Sequence, residues 1–291
     1  MELAHLGYPE AEVAGLNSKT GYEVMNMNLG AMHNTPGDVG SYGLLYQWGR
    51  KDPFPAAPTL TGTTATVGAP IYDGDNNEIK ITNSSQSSTA DNNLAFAIAN
   101  PTVCLSNYAQ FNTSRDWLQA DMSNDALWGN PKGAERNETN DFLNKGAKSF
   151  YDPCPVGWRV PPADVFRNFT ASGGYAWVID DFDIADISGD GAKSLADYDY
   201  GWTFNLSDSA SSYFPAAARF DGSYAMLMGS MSGLWGSYWG NAPYPGDMFQ
   251  GGAYSVLSFQ IKDTAGNEMI TTSPAGGGAR ADAYSVRCIR E

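Results

Sequence analysis

Hydrophobic and polar positions alternate most regularly in the last third of the chain, from Tyr213 to Glu291. The segments between the alternating runs are rich in Gly, Ser, Met, Pro and aromatic residues, which cannot all be buried. The pattern predicts a rigid sheet that carries an irregular, aromatic-rich surface, and loops on a rigid scaffold are where binding usually takes place. Trp235 and Trp239 are assigned to the scaffold, because aromatic residues more often pack than contact ligands. The strand-like runs are Tyr213–Phe220, Ser237–Gly240, Ala253–Gln260 and Tyr284–Ile289.

The first part of the sequence predicts a lead-in segment at 1–20, followed by a first strand and then an aromatic segment. The strand is indicated by apolar residues at Val24, Met25, Met27 and Leu29. Tyr46, Trp48 and Phe54 lie close together before a run of prolines. These three rings form either a core cluster or a surface platform, and core packing is the favoured interpretation.

The middle of the chain predicts two inward-facing residues followed by a helix. A proline-bounded turn places Trp158 and Val160 towards the core. Pro161 and Pro162 then open a helix, in agreement with the preference of proline for a first helical turn. Upstream, the stretch 90–101 has an Asn/Asp start and a proline stop, which indicates either a short helix or a buried strand. The expected buried face of the helix after Pro162 consists of Val165, Phe166 and Phe169.

Two polar excursions interrupt this pattern, at about 58–150 and 171–212. The first contains a predicted hairpin, in which ATVGAPIYD faces NEIKITN. Both contain clusters of acidic residues, which are interpreted as solvated turns and faces and not as metal sites. Nothing in the sequence identifies two carboxylates at the spacing of a glycosidase pair. The acidic and amide residues considered are Asp73, Asp75, Asn77 and Glu78, which lack the Gly and Glu of a calcium loop, and Asp181, Asp183, Asp186 and Asp190, which follow no recognised loop pattern.

Composition narrows the class of protein. The chain of 291 residues is 42% hydrophobic and 17% charged, with 32 Gly and 16 Pro, which favours a loop-rich β or α+β protein. Its net charge of −15 argues against nucleic acid and anionic membrane surfaces as partners. No apolar run is long enough to span a membrane, and the first residues lack the pattern of a signal peptide, so direct membrane insertion is not expected.

Cysteine and histidine usage gives no metal or cofactor site. Cys104, Cys154 and Cys288 allow one disulfide with one free thiol, or three free thiols. His5 and His33 are the only histidines, so no zinc spacing exists. The sequence also lacks the hydrolase nucleophile elbow, the phosphate-binding loop, the dinucleotide fingerprint and the zinc protease motif. We therefore expect a protein that is not an enzyme, with no cofactor and no metal.

Four pieces of the chain together resemble one protein family. They are MNMNLGA (25–31), YGLLYQWGRKDPFP (42–55), DPCPVGWRVPP (152–162) and the tail with YFPAAARFDG, GSYWG, AYSVLSFQ and ADAYSVRCIRE. In this order they are similar to the Fibrobacter succinogenes major paralogous domain, which is frequent in surface proteins of Bacteroidetes. The resemblance covers 21–291 apart from the two excursions.

The resemblance implies an α+β, C-type-lectin-like fold of the formylglycine-generating-enzyme branch, as a single domain over 21–291 with long loop insertions. It implies that an early strand pairs with the closing strand and that Trp158 packs under the sheet. It also implies a disulfide between Cys154 and Cys288, with Cys104 free. The redox-active cysteine pair of the enzymes of this branch has no counterpart upstream of Cys288.

A narrower resemblance is to proteins of this fold that are varied by diversity-generating retroelements, whose variable region also lies at the C-terminus. It implies a ligand-binding or adhesin module at the bacterial cell surface or pilus tip, which binds a protein or glycan on another cell or host surface. A structural subunit of a pilus or surface layer is the alternative, and a carbohydrate-active enzyme ranks third. The candidate variable-face residues are Tyr224, Met226, Met228, Ser230, Ser232, Leu234, Ser237, Asn241, Tyr244, Asp247 and Phe249.

Overall fold

The described part of the chain is mostly β-sheet with few helices. The structure is a computed structural model that describes residues 13–62, 71–72, 75–79, 82–84, 93–105, 116–118, 124–223, 226–245, 252–262, 266–272 and 276–291. Within these ranges the one α-helix is α1 (Asn93–Ala99), which settles the choice between helix and strand made from the sequence. None of the helices found there is long and apolar enough to cross a membrane.

The strands are short apart from those near the C-terminus. Short 3₁₀ turns lie at Val39–Ser41, Arg167–Phe169, Ile179–Asp181, Leu195–Asp197 and Gly229–Met231. In chain order the strands are β1 (Gly15–Asn17), β2 (Glu23–Met25), β3 (Leu44–Gln47), β4 (Pro53–Pro55), β5 (Ile71–Tyr72), β6 (Glu78–Ile79), β7 (Thr82–Ser84), β8 (Val103–Leu105), β9 (Trp158–Arg159), β10 (Tyr175–Ala176), β11 (Gly201–Ser207), β12 (Ala210–Pro215), β13 (Phe220–Asp221), β14 (Met226–Leu227), β15 (Trp235–Pro243), β16 (Gly252–Gln260), β17 (Met269–Thr272), β18 (Gly277–Ala279), β19 (Ala283–Ser285) and β20 (Ile289–Arg290).

A ten-stranded sheet forms the scaffold of the described residues. Its main path runs β10-β17-β16-β15-β19-β13-β14, and β3, β4 and β18 pair alongside. The antiparallel strands β15 and β16 make its longest pairing, from Trp235 opposite Gln260 to Pro243 opposite Ala253. Smaller two-stranded sheets include the hairpin β5–β6, where Ile71 lies opposite Ile79, as the pattern of the first excursion predicts.

A four-stranded sheet brings the two ends of the described chain together. Val24 of β2 pairs with Ile289 of β20, so the predicted pairing of an early strand with the closing strand is confirmed. On the other side of β20, Arg290 pairs with Trp158 of β9. A disulfide joins Cys154 to Cys288, as the resemblance implies, while Cys104 is free and buried. In the chain-entropy model a cross-link over 134 residues stabilises the fold by about 4–5 kcal/mol.

Buried Arg287 connects this closing segment to the rest of the fold. Its guanidinium donates hydrogen bonds to Asn28 Oδ1 at 3.0 Å, to Ser212 Oγ at 3.0 Å and to the backbone oxygen of Tyr213 at 2.6 Å. It also lies over the Phe214 ring, 4.1 Å from the centroid. Burial lowers the pKa of Arg287 to about 10. The side chain therefore links the start of the chain, the β11–β12 hairpin and the closing strand.

The core contains the residues predicted for it and also many from the two excursions. Tyr46, Trp48 and Phe54 are buried, which confirms core packing, and so are Trp158 and Val160. The excursions are not peripheral loops, because they supply large side chains to the main clusters. Those side chains include Trp117, Leu118 and Trp128 from the first excursion and Phe182, Ile184, Trp202 and Phe204 from the second.

The helix expected after Pro162 does not form beyond one turn. Only Arg167–Phe169 adopt 3₁₀ geometry, and the next residue, Thr170, is extended and bridges to Phe182. Val165 and Phe166 are nevertheless buried together with Phe169, as the sequence pattern requires. The Phe169 ring stacks on Phe204 of β11 with centroids 4.2 Å apart, which fixes this turn against the β11–β12 hairpin.

Candidate functional site

The two sides of the ten-stranded sheet differ in character. On the inner side Tyr238, Phe259 and Ile270 pack into an apolar cluster. Since successive residues of a strand point to opposite sides, their neighbours Ser258 and Thr271, which lie directly opposite each other, project from the outer side. Part of this outer side is covered by the core around Trp48 and Trp239; elsewhere Thr271 is buried and Ser258 is partly exposed.

One exposed part of the outer side lies on the β13–β14 hairpin and the turn after it. Phe220 and Leu227 point into the core, so their neighbours point outward, with Met226 directly opposite Asp221. The guanidinium carbon of Arg219 lies 4.8 Å from the centre of the Trp235 ring. We name this surface the Met–Arg face and define it as Arg219, Asp221, Met226, Met228, Ser230, Leu234 and Trp235, all partly or fully exposed.

A buried charge cluster holds Arg219 in place. Arg219 donates to the Tyr284 hydroxyl at 3.3 Å and lies 3.6 Å from Asp282. Tyr284 in turn donates to the carboxylate of Asp282 at 2.7 Å, as does the backbone N–H of Gly222 at 2.7 Å. Burial opposes the charge of Arg219, but Tyr284 and Asp282 hold the pKa of Arg219 above its ordinary value. The Met–Arg face therefore carries a fixed cation stacked on an aromatic ring.

Flexible methionines around a fixed cation and an indole suit adaptable, non-covalent contact. Met226 and Met228 are both partly exposed on this face. Methionine fills irregular surfaces because it is unbranched and polarisable, and it is common at binding surfaces that accept several partners. The Trp235 indole is itself fixed, because its N–H donates to Ser258 Oγ at 3.1 Å. The face thus combines a rigid centre with adaptable edges.

The structure divides the predicted variable residues into three groups. Met226, Met228, Ser230, Leu234 and Tyr244 are partly or fully exposed. Tyr224, Asp247 and Phe249 lie outside the described residues. Ser232, Ser237 and Asn241 are buried, and for these three the prediction of a ligand-facing position is wrong.

Ser232 is buried because a distant loop packs on the segment that carries it. Its hydroxyl bonds to the Tyr42 hydroxyl at 3.1 Å and donates to the backbone oxygen of Thr59. The next residue, Gly233, has a positive φ of 70°, and a Cβ there would lie 2.0 Å from the Leu60 oxygen. The fold therefore needs a buried hydroxyl at Ser232 and a residue without a Cβ at Gly233.

Ser237 and Asn241 are buried polar anchors of strand β15. The Ser237 and Ser258 hydroxyl oxygens are hydrogen-bonded to each other at 3.3 Å. The Asn241 side chain accepts a hydrogen bond from Asn130 Nδ2 at 2.9 Å and donates to the Lys145 oxygen at 3.2 Å. The two Asn241 bonds fasten the segment 130–145 to the sheet, and the Ser237 contact joins β15 to β16. Ser237 and Asn241 therefore serve the scaffold.

The aromatic residues of this region also separate into scaffold and surface. Trp239 is fully buried, as predicted for the scaffold, but Trp235 is only partly buried and belongs to the Met–Arg face. Tyr244 packs edge-on to Tyr254 with centroids 5.1 Å apart. A Cβ on Gly277 would lie 2.9 Å from the Tyr244 ring. Tyr244 is thus packed against its neighbours, and truncating it is expected to cost stability as well as any contact with a ligand.

Sequence reasoning missed several residues that shape the outer side. Arg219 and Asp221 alternate with buried Phe220, and Asp282 and Tyr284 alternate with buried Ala283. This period of two, visible in the stretches ARFD and ADAYS, is the signal that would have placed the four polar residues on one side of the sheet. A second missed feature is an exposed aromatic pair, Tyr175 on strand β10 at the end of the sheet and Trp177 just after that strand.

Acidic residues of the second excursion follow the spacing of a calcium loop, which corrects the expectation that they match no loop pattern. Asp186, Ser188, Asp190, Gly191 and Asp197 occupy positions one, three, five, six and twelve of a calcium loop, with Asp replacing the usual Glu at twelve. In the structure Asp186 accepts the N–H of Gly191 at 2.9 Å, and buried Asp197 accepts that of Ser188 at 2.9 Å. Across the residues that the structure describes, no three acidic, His or Cys side chains group closely enough to hold a metal ion.

No family model, curated protein or solved structure matches this chain. The geometry of the Met–Arg face shows which side chains are exposed next to the fixed pair Arg219 and Trp235.

Proposed function

We propose that the chain is a non-enzymatic ligand-binding or adhesin domain, displayed on a bacterial cell surface or pilus, that binds through the Met–Arg face. The observation that carries the proposal is the contrast within one short segment. Met226, Met228, Ser230 and Leu234 are partly or fully exposed, whereas Ser232 between them is bonded into the core. Exposed side chains on a scaffold fixed from beneath can change without disturbing the fold, which is the design of a binding surface.

For the fold we propose the C-type-lectin-like architecture that the resemblance implies. The pairing of Val24 with Ile289 and the disulfide between Cys154 and Cys288 support this proposal. The long β15–β16 pairing next to the Met–Arg face also agrees with a ligand surface carried by C-terminal strands. We further propose that the exposed positions of the face are those varied by a diversity-generating retroelement.

The chemistry of the outer side supports binding over catalysis. The Asp282 carboxylate already accepts bonds from Tyr284 and Gly222 and faces Arg219. Burial raises the pKa of Asp282, against the attraction of Arg219. These groups bond to one another, so their role is to fix the Trp235 and Arg219 side chains as a rigid contact surface.

The proposal is tested by measuring how the fluorescently labelled protein binds to bacterial and animal epithelial cells in flow cytometry. The face variant M226Q/M228Q/L234Q replaces three apolar side chains by polar glutamine side chains of similar size. The matched control M32Q/V39Q/L143Q changes three exposed apolar residues elsewhere on the chain. We expect saturable binding by the wild type and the control, and its loss in the face variant at an unchanged melting temperature.

Two results would go against the proposal. Saturable binding that the face variant retains would place the binding site elsewhere on the molecule. Concentration-dependent self-association that the face variant abolishes, without any cell binding by the wild type, would favour a structural subunit of a pilus or surface layer. The retroelement proposal needs the encoding DNA, where a nearby near-copy of the last segment should differ only at adenines of the copy.

A further inference from the structure

The Met–Arg face contains one hydrogen-bond donor and one acceptor that the described part of the fold leaves unused. Arg219 Nη1 donates to the Tyr284 hydroxyl at 3.3 Å, but Nη2 makes no hydrogen bond within the described residues and lies 3.9 Å from Asp221 Oδ2. Asp221 Oδ1 accepts the N–H of Ser223 at 2.8 Å, whereas Oδ2 accepts no hydrogen bond from those residues. The side chains of Arg219 and Asp221 are each 20% exposed, so a ligand can reach them. We name Arg219 Nη2 and Asp221 Oδ2 the polar pair.

The backbone before Arg219 holds an uncommon conformation that orients this side chain. Buried Ala218 has a φ of 64°, in the left-handed region that residues with a Cβ rarely adopt. The Ala218 N–H donates to the Trp235 oxygen at 3.1 Å, and the Arg219 oxygen accepts the N–H of Met228 at 2.8 Å. The guanidinium lies over the Trp235 ring, 4.8 Å from its centre. The Arg219 donor is therefore held in place before a ligand binds, which keeps the entropy cost of binding small.

We propose that the polar pair binds the backbone N–H and C=O of one residue in an uncharged, apolar segment of a partner protein. In an extended chain these two groups point to the same side, and an antiparallel neighbour exchanges both hydrogen bonds with them. Arg219 Nη2 donates to the C=O, and Asp221 Oδ2 accepts the N–H. The exposed side chains of Met226, Met228 and Leu234 contact the apolar side chains of the segment. This inference rests on the proposed function, because it names the ligand of the same face.

Charged ligands satisfy only one member of the polar pair. A carboxylate would accept a hydrogen bond from Arg219, but it would cover Asp221 and approach Asp282, which lies 3.6 Å from the same guanidinium. A lysine ammonium would donate to Asp221, but it has no acceptor for Arg219. A polar group that is covered without a partner costs free energy. The pair therefore favours an uncharged ligand that both donates and accepts.

Among uncharged ligands, the surroundings of the polar pair favour a polypeptide over a sugar. A sugar hydroxyl also donates and accepts, but a sugar ring gains most of its apolar contact by stacking on an aromatic ring. On this face one side of the Trp235 ring is already covered by Arg219. The other apolar members of the face are the side chains of Met226, Met228 and Leu234, which suit the irregular apolar surface of a protein segment. Methionine, tryptophan and arginine are also the residues enriched where proteins bind one another.

The test is a selection from a phage-displayed library of random linear peptides against the wild-type protein, followed by isothermal titration with the enriched peptides. We expect these peptides to share an apolar stretch without acidic or basic residues. R219M and D221A should each weaken their affinity about tenfold, which corresponds to about 1.4 kcal/mol. D221A leaves Arg219 next to Asp282, so it tests the polar pair even if R219M does not fold. The matched controls R167M and D141A each break an ion pair of 3.0 Å elsewhere and should leave the affinity unchanged.

Three results would overturn the inference. The first is enrichment of acidic or basic peptides, whose affinity would fall with added salt. The second is a set of uncharged peptides that bind D221A as tightly as the wild type. The third is that no peptide is enriched, whether or not a neutral glycan on a microarray binds in its place.

The face variant M226Q/M228Q/L234Q separates this inference from the proposed function. Peptides that D221A binds normally but the face variant does not bind would refute only the role of the polar pair. Peptides that the face variant binds as tightly as the wild type would contradict the proposed function itself.

Discussion

Replacing Arg287 by Met should destabilise the whole fold, because this buried side chain joins three parts of the chain. The mutation keeps much of the volume but removes every donor of the guanidinium. Asn28, Ser212 and the backbone oxygen of Tyr213 would each lose a bond of 2.6–3.0 Å inside the protein. The oxygen of Met25 would lose a longer bond of 3.3 Å.

The expected loss follows from these four groups. A buried acceptor that is left unpaired costs about 1–3 kcal/mol. Removing a buried cation returns part of that loss, because the charge no longer has to be kept out of water. We therefore expect R287M to lower the free energy of unfolding by about 3–5 kcal/mol, which is a large share of the roughly 5–15 kcal/mol of a typical domain.

Urea denaturation followed by tryptophan fluorescence measures this loss, and R290M is the matched control. Arg290 lies in the same closing segment, stacks on Trp158 at 4.0 Å and pairs with Glu23 at 3.0 Å, but its side chain is 46% exposed. Exposed ion pairs contribute about 0–1 kcal/mol, so R290M should change stability little. A loss in R287M no larger than that in R290M would refute the view that Arg287 holds the ends of the domain together.

Two further predictions concern pH and the acidic excursion. Burial raises the pKa of the Tyr42 hydroxyl from 10.0 to about 12. As pH rises, the unfolded chain therefore loses the hydroxyl proton before the folded protein does, and the stability present below pH 10 should be lost as pH rises towards 12. The urea midpoint, measured together with phenolate absorbance, checks this, and a midpoint that is constant over that range would contradict it. D197N should lower the unfolding free energy by about 1–3 kcal/mol, because Asp197 accepts backbone N–H groups of Ile187, Ser188 and Ser194. Burial opposes ionisation of Asp197, but these bonds hold its pKa below the ordinary value. The difference in unfolding free energy between the wild type and D197N should therefore become smaller in acid. The same difference at every pH would show that the charge is not involved.

The parts of the fold that the sequence predicted are those set by local pattern. Alternating positions predicted the strands over 237–240 and 253–260, whereas the predicted runs 213–220 and 284–289 are each divided between two strands. Aromatic residues near prolines predicted the core around Trp48 and Trp158. The burial of Ser232 and Asn241 could not be predicted in this way. Serine and asparagine fit a surface as well as a buried network, and their partners Tyr42 and Asn130 are 190 and 111 residues away.

The candidate site was predicted only in part for a related reason. The Met-rich segment was recognised from its composition, whereas Arg219 and Asp282 become one cluster only when β13 and β19 pair in the sheet. The exposed residues Tyr175 and Trp177 were missed because both lie in an excursion interpreted as a solvated acidic surface. The side of the sheet to which a residue belongs is clear only once the register of the strands is known.

The central claim, that the Met–Arg face binds ligand, is tested most directly by titrating cells with the face variant and the control variant and comparing the two apparent affinities. Three apolar contacts worth about 1 kcal/mol each correspond to a combined loss of roughly a hundredfold. We therefore predict about a hundredfold weaker binding by M226Q/M228Q/L234Q than by M32Q/V39Q/L143Q, with melting temperatures that agree. Equal affinities of the two variants would contradict the assignment of ligand binding to this face.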